Sequence, residues 1–246
     1  MQPSFQPTPT AGLAASVLVL QAEDSLPKAV ETLKLPSGRR TLVLVGGASK
    51  ISQKDFNRLQ ALFTEVLAPL AEQLNMVVID GGTDAGVMKL MGKARLKIGA
   101  SFPLVGVAPI GLVSLPTQPS SHPDAAPLEP HHTHCFLVPG NEWGDESPWI
   151  ARLATAIASD MPSVTLLVNG GGVTWKDAAC SLAEHRPIIV ISGSGRTADI
   201  IAKAMRGEPV ADQRAMPLVN SGLLQIVELN GEEEVLADVV QGKLVS

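Results

Sequence analysis

Short apolar runs alternate with longer amphipathic ones along most of this 246-residue chain. Residues 16–20, 41–45, 76–79, 104–108, 134–138, 164–168, 188–191 and 223–229 are rich in Val, Ile and Leu and read as buried strands. Residues 25–35 (capped by Ser25), 52–74, 84–98, 148–159, 174–184, 197–205 and 232–240 (capped by Asn230) read as helices. The clearest is 52–74, where Phe56, Leu59, Phe63, Val66, Leu67, Leu70 and Leu74 recur at three- and four-residue steps and lay one apolar stripe. Ser52 and Asp55 resemble a capping box, and Pro69 predicts a kink near the end.

The alternation predicts an α/β protein: a mostly parallel, doubly wound sheet with right-handed crossovers and helices on both faces. Residues 1–14, rich in Pro, Thr and Gln at their start, read as a flexible tail, and residues 15–246 as one domain. Residues 116–130, with Pro, Ser, His and Asp and no periodicity, read as a surface loop. No internal repeat of fixed period is visible.

Composition narrows the class. An apolar fraction of 45% and a mean hydropathy of +0.21 indicate a globular chain rich in buried strands. No apolar stretch approaches the ~20 residues of a membrane span, and no basic, small-residue-cleaved signal segment opens the chain, so the cytoplasm is expected. The net charge of −5 with scattered Lys and Arg argues against nucleic acid as partner. Cys135 and Cys180 sit beside apolar residues and read as buried reduced thiols.

Four glycine-rich turns follow strands and precede helices: Gly46-Gly47-Ala48-Ser49, Gly81-Gly82-Thr83-Asp84-Ala85-Gly86, Gly170-Gly171-Gly172-Val173-Thr174 and Gly193-Ser194-Gly195-Arg196. A strand, a glycine turn and a helix N-terminus present backbone N–H groups and a positive dipole end to an anion. In a doubly wound sheet all four turns lie along the carboxyl edge, where ligands bind. Gly86, one turn into its expected helix, needs a reason such as close packing on a strand or a phosphate. Met88 and Met91 read as core. Thr174 suits a helix cap or a phosphate donor. Asp177, one turn in, suits a dipole complement, a ribose acceptor or a catalytic carboxylate. Arg196 offers a two-pronged phosphate contact, with Asp199 as its partner or as a ribose acceptor.

His131, His132, His134 and Cys135 lie close together, but adjacent histidines on a strand face opposite ways and no second cluster completes four ligands. No metal is expected, and His134 reads as a polar group facing the ligand cleft. Neither a Gly-x-Ser-x-Gly elbow, nor a phosphate loop ending in Gly-Lys-Ser/Thr, nor a Gly-x-Gly-x-x-Gly after the first strand is present.

Residues 80–88 (Asp-Gly-Gly-Thr-Asp-Ala-Gly-Val-Met), then Val107-Ala108-Pro109-Ile110-Gly111, then His132-Thr133-His134-Cys135-Phe136-Leu137-Val138, then the turns at 170–174 and 193–199, resemble in their order the SLOG superfamily. The matching branch is LSDAT, the prokaryotic relatives of the N-terminal region of TRPM channels, from about residue 41 to residue 205. The resemblance implies a Rossmann-like three-layer αβα sandwich that binds nucleotides related to ADP-ribose or NAD. It makes Arg196 the phosphate contact and Gly81, Gly82, Thr83 and Gly86 a second cradle, with Val87, Pro109 and His134 in the matching segments. With no membrane span in the chain, a free-standing relative is expected.

Another branch, the LOG-type phosphoribohydrolases, carries Gly-Gly-Gly-x-x-Gly-Leu-Met-Gly and Pro-Gly-Gly-x-Gly-Thr-x-x-Glu. Here Gly82, Gly86 and Met88 match the first at imperfect spacing. In the second, Asn169 replaces the proline, Val173 a glycine, and Asp177 the catalytic glutamate. The expectation is a nucleotide-binding or sensing protein that needs no further cofactor and forms a homo-oligomer. The rival is a nucleotide N-glycosidase using Asp177.

Overall fold

A computed structural model describes residues 8–9, 15–47, 52–115 and 119–245. The first described element is β1 (Thr8–Pro9), inside the stretch expected as a tail, then come β2 (Ser16–Val19), α1 (Leu26–Thr32) and β3 (Thr41–Gly46). A long helical run follows as α2 (Gln53–Ala61), a π-helical stretch Leu62–Leu67 and α3 (Ala68–Gln73), leading to β4 (Val77–Asp80) and α4 (Gly86–Ile98). Next come β5 (Leu104–Pro109), the short β6 (Val113–Ser114) and β7 (Ala126–Pro127), then β8 (His134–Val138) and α5 (Ser147–Ala158). The second half runs β9 (Ser163–Val168), α6 (Gly172–Ala183), β10 (Ile188–Ser192), α7 (Arg196–Met205), α8 (Ala215–Val219), β11 (Leu224–Glu228) and α9 (Glu233–Val245).

Nine strands form one sheet in the order β1-β2-β8-β5-β4-β3-β9-β10-β11, every pairing parallel except β1 with β2. Alternate residues of each strand feed opposite layers, as the period of two requires. Val43, Val45, Ile79, Val107 and Phe136 pack with α1, α5, α6, α7 and α8 on one face. Leu42, Leu44, Val78, Leu104 and Leu166 pack with α2, α3, α4 and α9 on the other. Burial on both faces is why these strands are unbroken apolar runs. The fold is the expected α/β Rossmann-like sandwich.

From β3 the chain steps to β4 and outward on one side, and from β9 to β10 and outward on the other, so order reverses between β3 and β9. Their register ends with Gly46 beside Val168. A Cβ on Gly46, whose φ is +124°, would stand 1.9 Å from the Val168 carbonyl oxygen, so only glycine closes this pair. The crevice beyond that switch point is where open α/β sheets take ligands.

Several local expectations are corrected. At Pro69 the helical run shows a change of hydrogen-bond register: Ala68 N–H bonds Phe63 O, an i to i−5 step, just before the residue that has no N–H to offer. Gly86 starts α4 with a φ of +50°, after Ala85 as N-cap, so its glycine is needed for backbone conformation at the helix start. Asn230 takes the Arg58 guanidinium on Oδ1, and α9 begins at Glu233. Residues 116–130 are not wholly a surface loop: β7 pairs with β6, and Leu128 and Glu129 are buried. α8 was not anticipated.

Candidate functional site

A cavity of about 420 Å³ lies at the switch point. Leu44, Val45, Gly46 and Gly47 form its floor, Gly81, Thr83, Ala85 and Met88 one wall, and Gly171 through Thr174 with Asp177 and Arg196 the other. Trp143, Glu146 and Ile150, from the β8–α5 connection and α5, close one side, and Asp124 and Ala126 border it.

On the β9–α6 wall, the buried Asn169 ties two turns together. Its N–H donates to Ser194 Oγ (2.7 Å), its Nδ2 to the Ser194 carbonyl (2.6 Å), and its Oδ1 accepts from Gly170 N–H (2.8 Å). The Ala198 amide adds a bond to the Asn169 carbonyl at 2.9 Å. Thr174 Oγ1, at the third position of α6, accepts from the N-cap Gly171 N–H at 3.1 Å, the reciprocal half of a capping box. Gly172 and Val173 open the helix against the cavity, at positions whose amides have no partner within an α-helix. Arg196 starts α7 with a φ of +53°, and its guanidinium covers Gly171: a Cβ there would stand 3.1 Å from Nη2. Helix dipole, helix-start amides and a guanidinium thus meet at one corner.

One turn along α6, Asp177 meets Glu146 across the cavity's side. Ser147 Oγ donates to Asp177 Oδ1 at 2.6 Å, and Gly144 N–H donates to Glu146 Oε2 at 2.7 Å. Burial pushes the Asp177 carboxyl up to about 7; nearby Glu146 adds to this, and the Ser147 hydrogen bond opposes it. Burial also raises the Glu146 carboxyl.

The β4–α4 wall is built differently. Gly82, φ +69°, packs its Cα against Gly106 of β5, and a Cβ would stand 2.9 Å from Gly106 Cα. Its N–H donates to Asp80 Oδ1 (2.7 Å), its carbonyl accepts from Glu129 N–H (2.9 Å), and Asp84 N–H reaches the Pro127 carbonyl (2.9 Å). Behind the turn, His132 Nε2 pairs with Asp80 Oδ1 (2.8 Å) and Nδ1 with Glu129 Oε2 (2.9 Å), all three residues almost wholly buried. Burial alone would pull the His132 imidazole down; Asp80 and Glu129 outweigh it and hold it up to about 9, so it is a cation at neutral pH. Asp80 Oδ2 has no hydrogen-bond partner among the described residues. Burial pushes the neighbouring Cys135 thiol up to about 12.

Of the residues expected at the site, Gly46, Gly47, Gly81, Thr83, Gly171, Gly172, Val173, Thr174 and Arg196 line the cavity together with Asp177. Ala48 and Ser49 lie outside the described residues. Gly82, Gly86, Gly170, Gly193, Ser194 and Gly195 shape the turns rather than line the cavity. Gly47 N–H is bonded to the Val168 carbonyl at 3.0 Å, and Gly193 N–H to Asp199 Oδ1 at 2.7 Å, which also occupies Asp199. Val87 is core, and Pro109 ends β5 away from the cavity.

His134 is a correction. It is the first residue of β8, hence at the amino edge opposite the cavity, and its Nδ1 meets Thr133 Oγ1 at 2.8 Å. Met88 packs against the core as expected and also lines the cavity, while Met91 is wholly core. Trp143 and Glu146 were missed; their signal was an acidic loop with a tryptophan following a strand onto this same edge.

The family model described as SLOG in TRPM, prokaryote, matches residues 39–237, and the chain belongs to that family. It is 27% identical over 235 residues to a transient receptor potential cation channel subfamily M member-like 2 of Nematostella vectensis, covering 80% of this chain and 15% of that protein. It is 25% identical over 195 residues to transient receptor potential cation channel subfamily M member 2 of Rattus norvegicus, covering 65% of this chain and 13% of that one. The chain therefore spans a small part of these channel proteins. Its fold is similar to the X-ray structure of TM1055, a structural genomics target, with a TM-score of 0.54 and 19% identity over 82% of this chain and 99% of that one. Among the described residues, no helix is long and apolar enough to cross a membrane, and no group of three or more His, Cys, Asp or Glu is arranged to hold a metal ion.

Proposed function

We propose that the cavity binds a nucleotide of the ADP-ribose or NAD class and that the protein senses it, with no further cofactor. The observation that carries this is the corner where the α6 N-terminus, its glycines and the Arg196 guanidinium border one cavity. Membership of a family described by its kinship to TRPM, and a cavity at the β3–β9 switch point, support the same reading. A charge-assisted arginine contact contributes ~1.5–3 kcal/mol, so Arg196→Ala weakens ADP-ribose binding about tenfold or more while the fold survives. Calorimetry on both proteins tests this, and equal affinities remove Arg196 from the site. A thermal-shift panel of ADP-ribose, cyclic ADP-ribose, NAD, AMP and ATP identifies the ligand, because binding to the native state raises its melting temperature.

One observation favours a second reading, hydrolysis of an N-glycosidic bond. Asp177 borders the cavity with its carboxyl held near 7, where a group can both give and take a proton. Incubation with AMP or NAD, followed by chromatography for free base, separates the readings. Base release that disappears in Asp177→Asn establishes the hydrolase; no release leaves the sensor.

A further inference from the structure

We propose that Glu146 reads the sugar of the bound nucleotide, making the site selective for ribo- over 2′-deoxyribonucleotides; this rests on the nucleotide reading above. Glu146 lines the cavity yet is only 6% exposed. Its carboxyl takes the amides of Gly144 and of Glu146 itself, and no side chain among the described residues hydrogen-bonds to it. Lys176 acts on it through charge alone, so a buried carboxylate that borders a cavity with no side-chain donor bonded to it is an acceptor set for donors brought by a ligand.

Position says which donors. The neighbouring Ser147 is tied to Asp177 at 2.6 Å, and Asp177 lies one helical turn, ~5 Å, along α6 from the Thr174 cap and the Arg196 corner. With a phosphate at that corner, a five-carbon sugar attached through its 5′ oxygen carries its vicinal hydroxyls about one turn away. Two hydroxyls donating to one carboxylate is the complement that an acceptor-only group requires. A site built to hydrogen-bond a hydroxyl rejects the analogue lacking it far more strongly than an apolar pocket rejects a missing methylene. Trp143, half-buried and three residues before Glu146, stands on the same side of the cavity.

Calorimetry with AMP and ADP-ribose, each against its 2′-deoxy counterparts, tests the assignment on the unaltered protein. The ribo forms bind about tenfold or more tightly. In Glu146→Gln the ribo forms fall to the level of the deoxy forms, and the discrimination is lost. Equal affinity of ribo and deoxy forms overturns the assignment. So does full discrimination surviving in Glu146→Gln with an unchanged melting curve. Weaker binding of IMP than AMP, with AMP and its deoxy form equal, shows a base amine being read and overturns it as well. If no nucleotide binds the wild-type chain, the proposed function itself fails, an outcome distinct from the preceding three.

Discussion

The two walls of the cavity look alike in sequence and are built for opposite ends. Both put two or more glycines between a strand and a helix. On the β4–α4 wall, Gly82 is pressed backbone to backbone on Gly106, and its N–H and carbonyl are both committed to Asp80 and Glu129. On the β9–α6 wall, a Cβ on Gly172 would meet nothing within 4 Å, and the residues that open the helix face the cavity. Glycine in the first place permits close packing; in the second it keeps a surface bare. A run of glycines after a strand does not by itself distinguish a ligand cradle from a joint.

The largest effect expected from this contrast comes from the joint. Removing the imidazole in His132→Ala leaves Asp80 and Glu129 buried without their cation, which costs on the order of 4 kcal/mol. The sign with pH follows from the held-up imidazole. Its pKa rises from 6.5 unfolded to about 9 folded, so its contribution is complete below about 6.5 and disappears as pH rises through 9. Melting temperatures of the wild type fall across that window, and His132→Gln flattens the fall. An unchanged slope in His132→Gln refutes the role of the imidazolium. His131, the nearby Cys135 thiol and the two carboxylates surround the same group, so the variant comparison isolates its titration.

Gly82→Ala comes next. The added methyl meets Gly106 Cα at 2.9 Å at a φ of +69°; Gly106 is held by its pairing with Asp80, and Gly82 by its bonds to Asp80 and Glu129. Overpacking and left-handed strain together cost about 3 kcal/mol, a fall of roughly 6–12 °C in melting temperature for a chain of this size. A drop under about 2 °C in thermal unfolding breaks the contrast between the walls.

Much of the scaffold was legible because its signals are local. Residues 41–45, 164–168 and 188–191 are short apolar runs ended by turn residues, which read as strands buried on both faces, and the stripe from Phe56 to Leu70 reads as a helix face laid on the core. Gly171 to Thr174, Asp177 and Arg196 were legible for the same reason: a strand, a turn and a helix lie consecutively in the chain. The partner that makes Gly82 a joint, Gly106, is set by the pairing of β4 with β5 and leaves no mark near residue 82. His134 was misplaced because a histidine in a strand shows nothing of which edge it occupies; that depends on where pairing begins. Glu146 reaches Asp177's neighbourhood because α5, which it precedes, carries the chain across the sheet from β8 to β9 and packs beside α6. The π-helical stretch before Pro69 is a change of hydrogen-bond register that apolar periodicity does not report.

The smallest effect expected is also the sharpest separation of the walls. Gly172→Ala puts a methyl into open space at the first position of α6, where φ is not in the left-handed region and alanine is the better helix former. Stability therefore holds or rises by about 0.5–1 kcal/mol, the opposite sign from Gly82→Ala. Binding moves the other way, since the same methyl intrudes where a phosphate would approach the α6 amides. A melting curve and a titration with ADP-ribose on this one variant check both signs at once. A variant that is more stable and binds more weakly places the bare surface at α6. Unchanged affinity together with the stability gain shows that the ligand is held elsewhere in the cavity, and the two glycine walls then differ in packing alone.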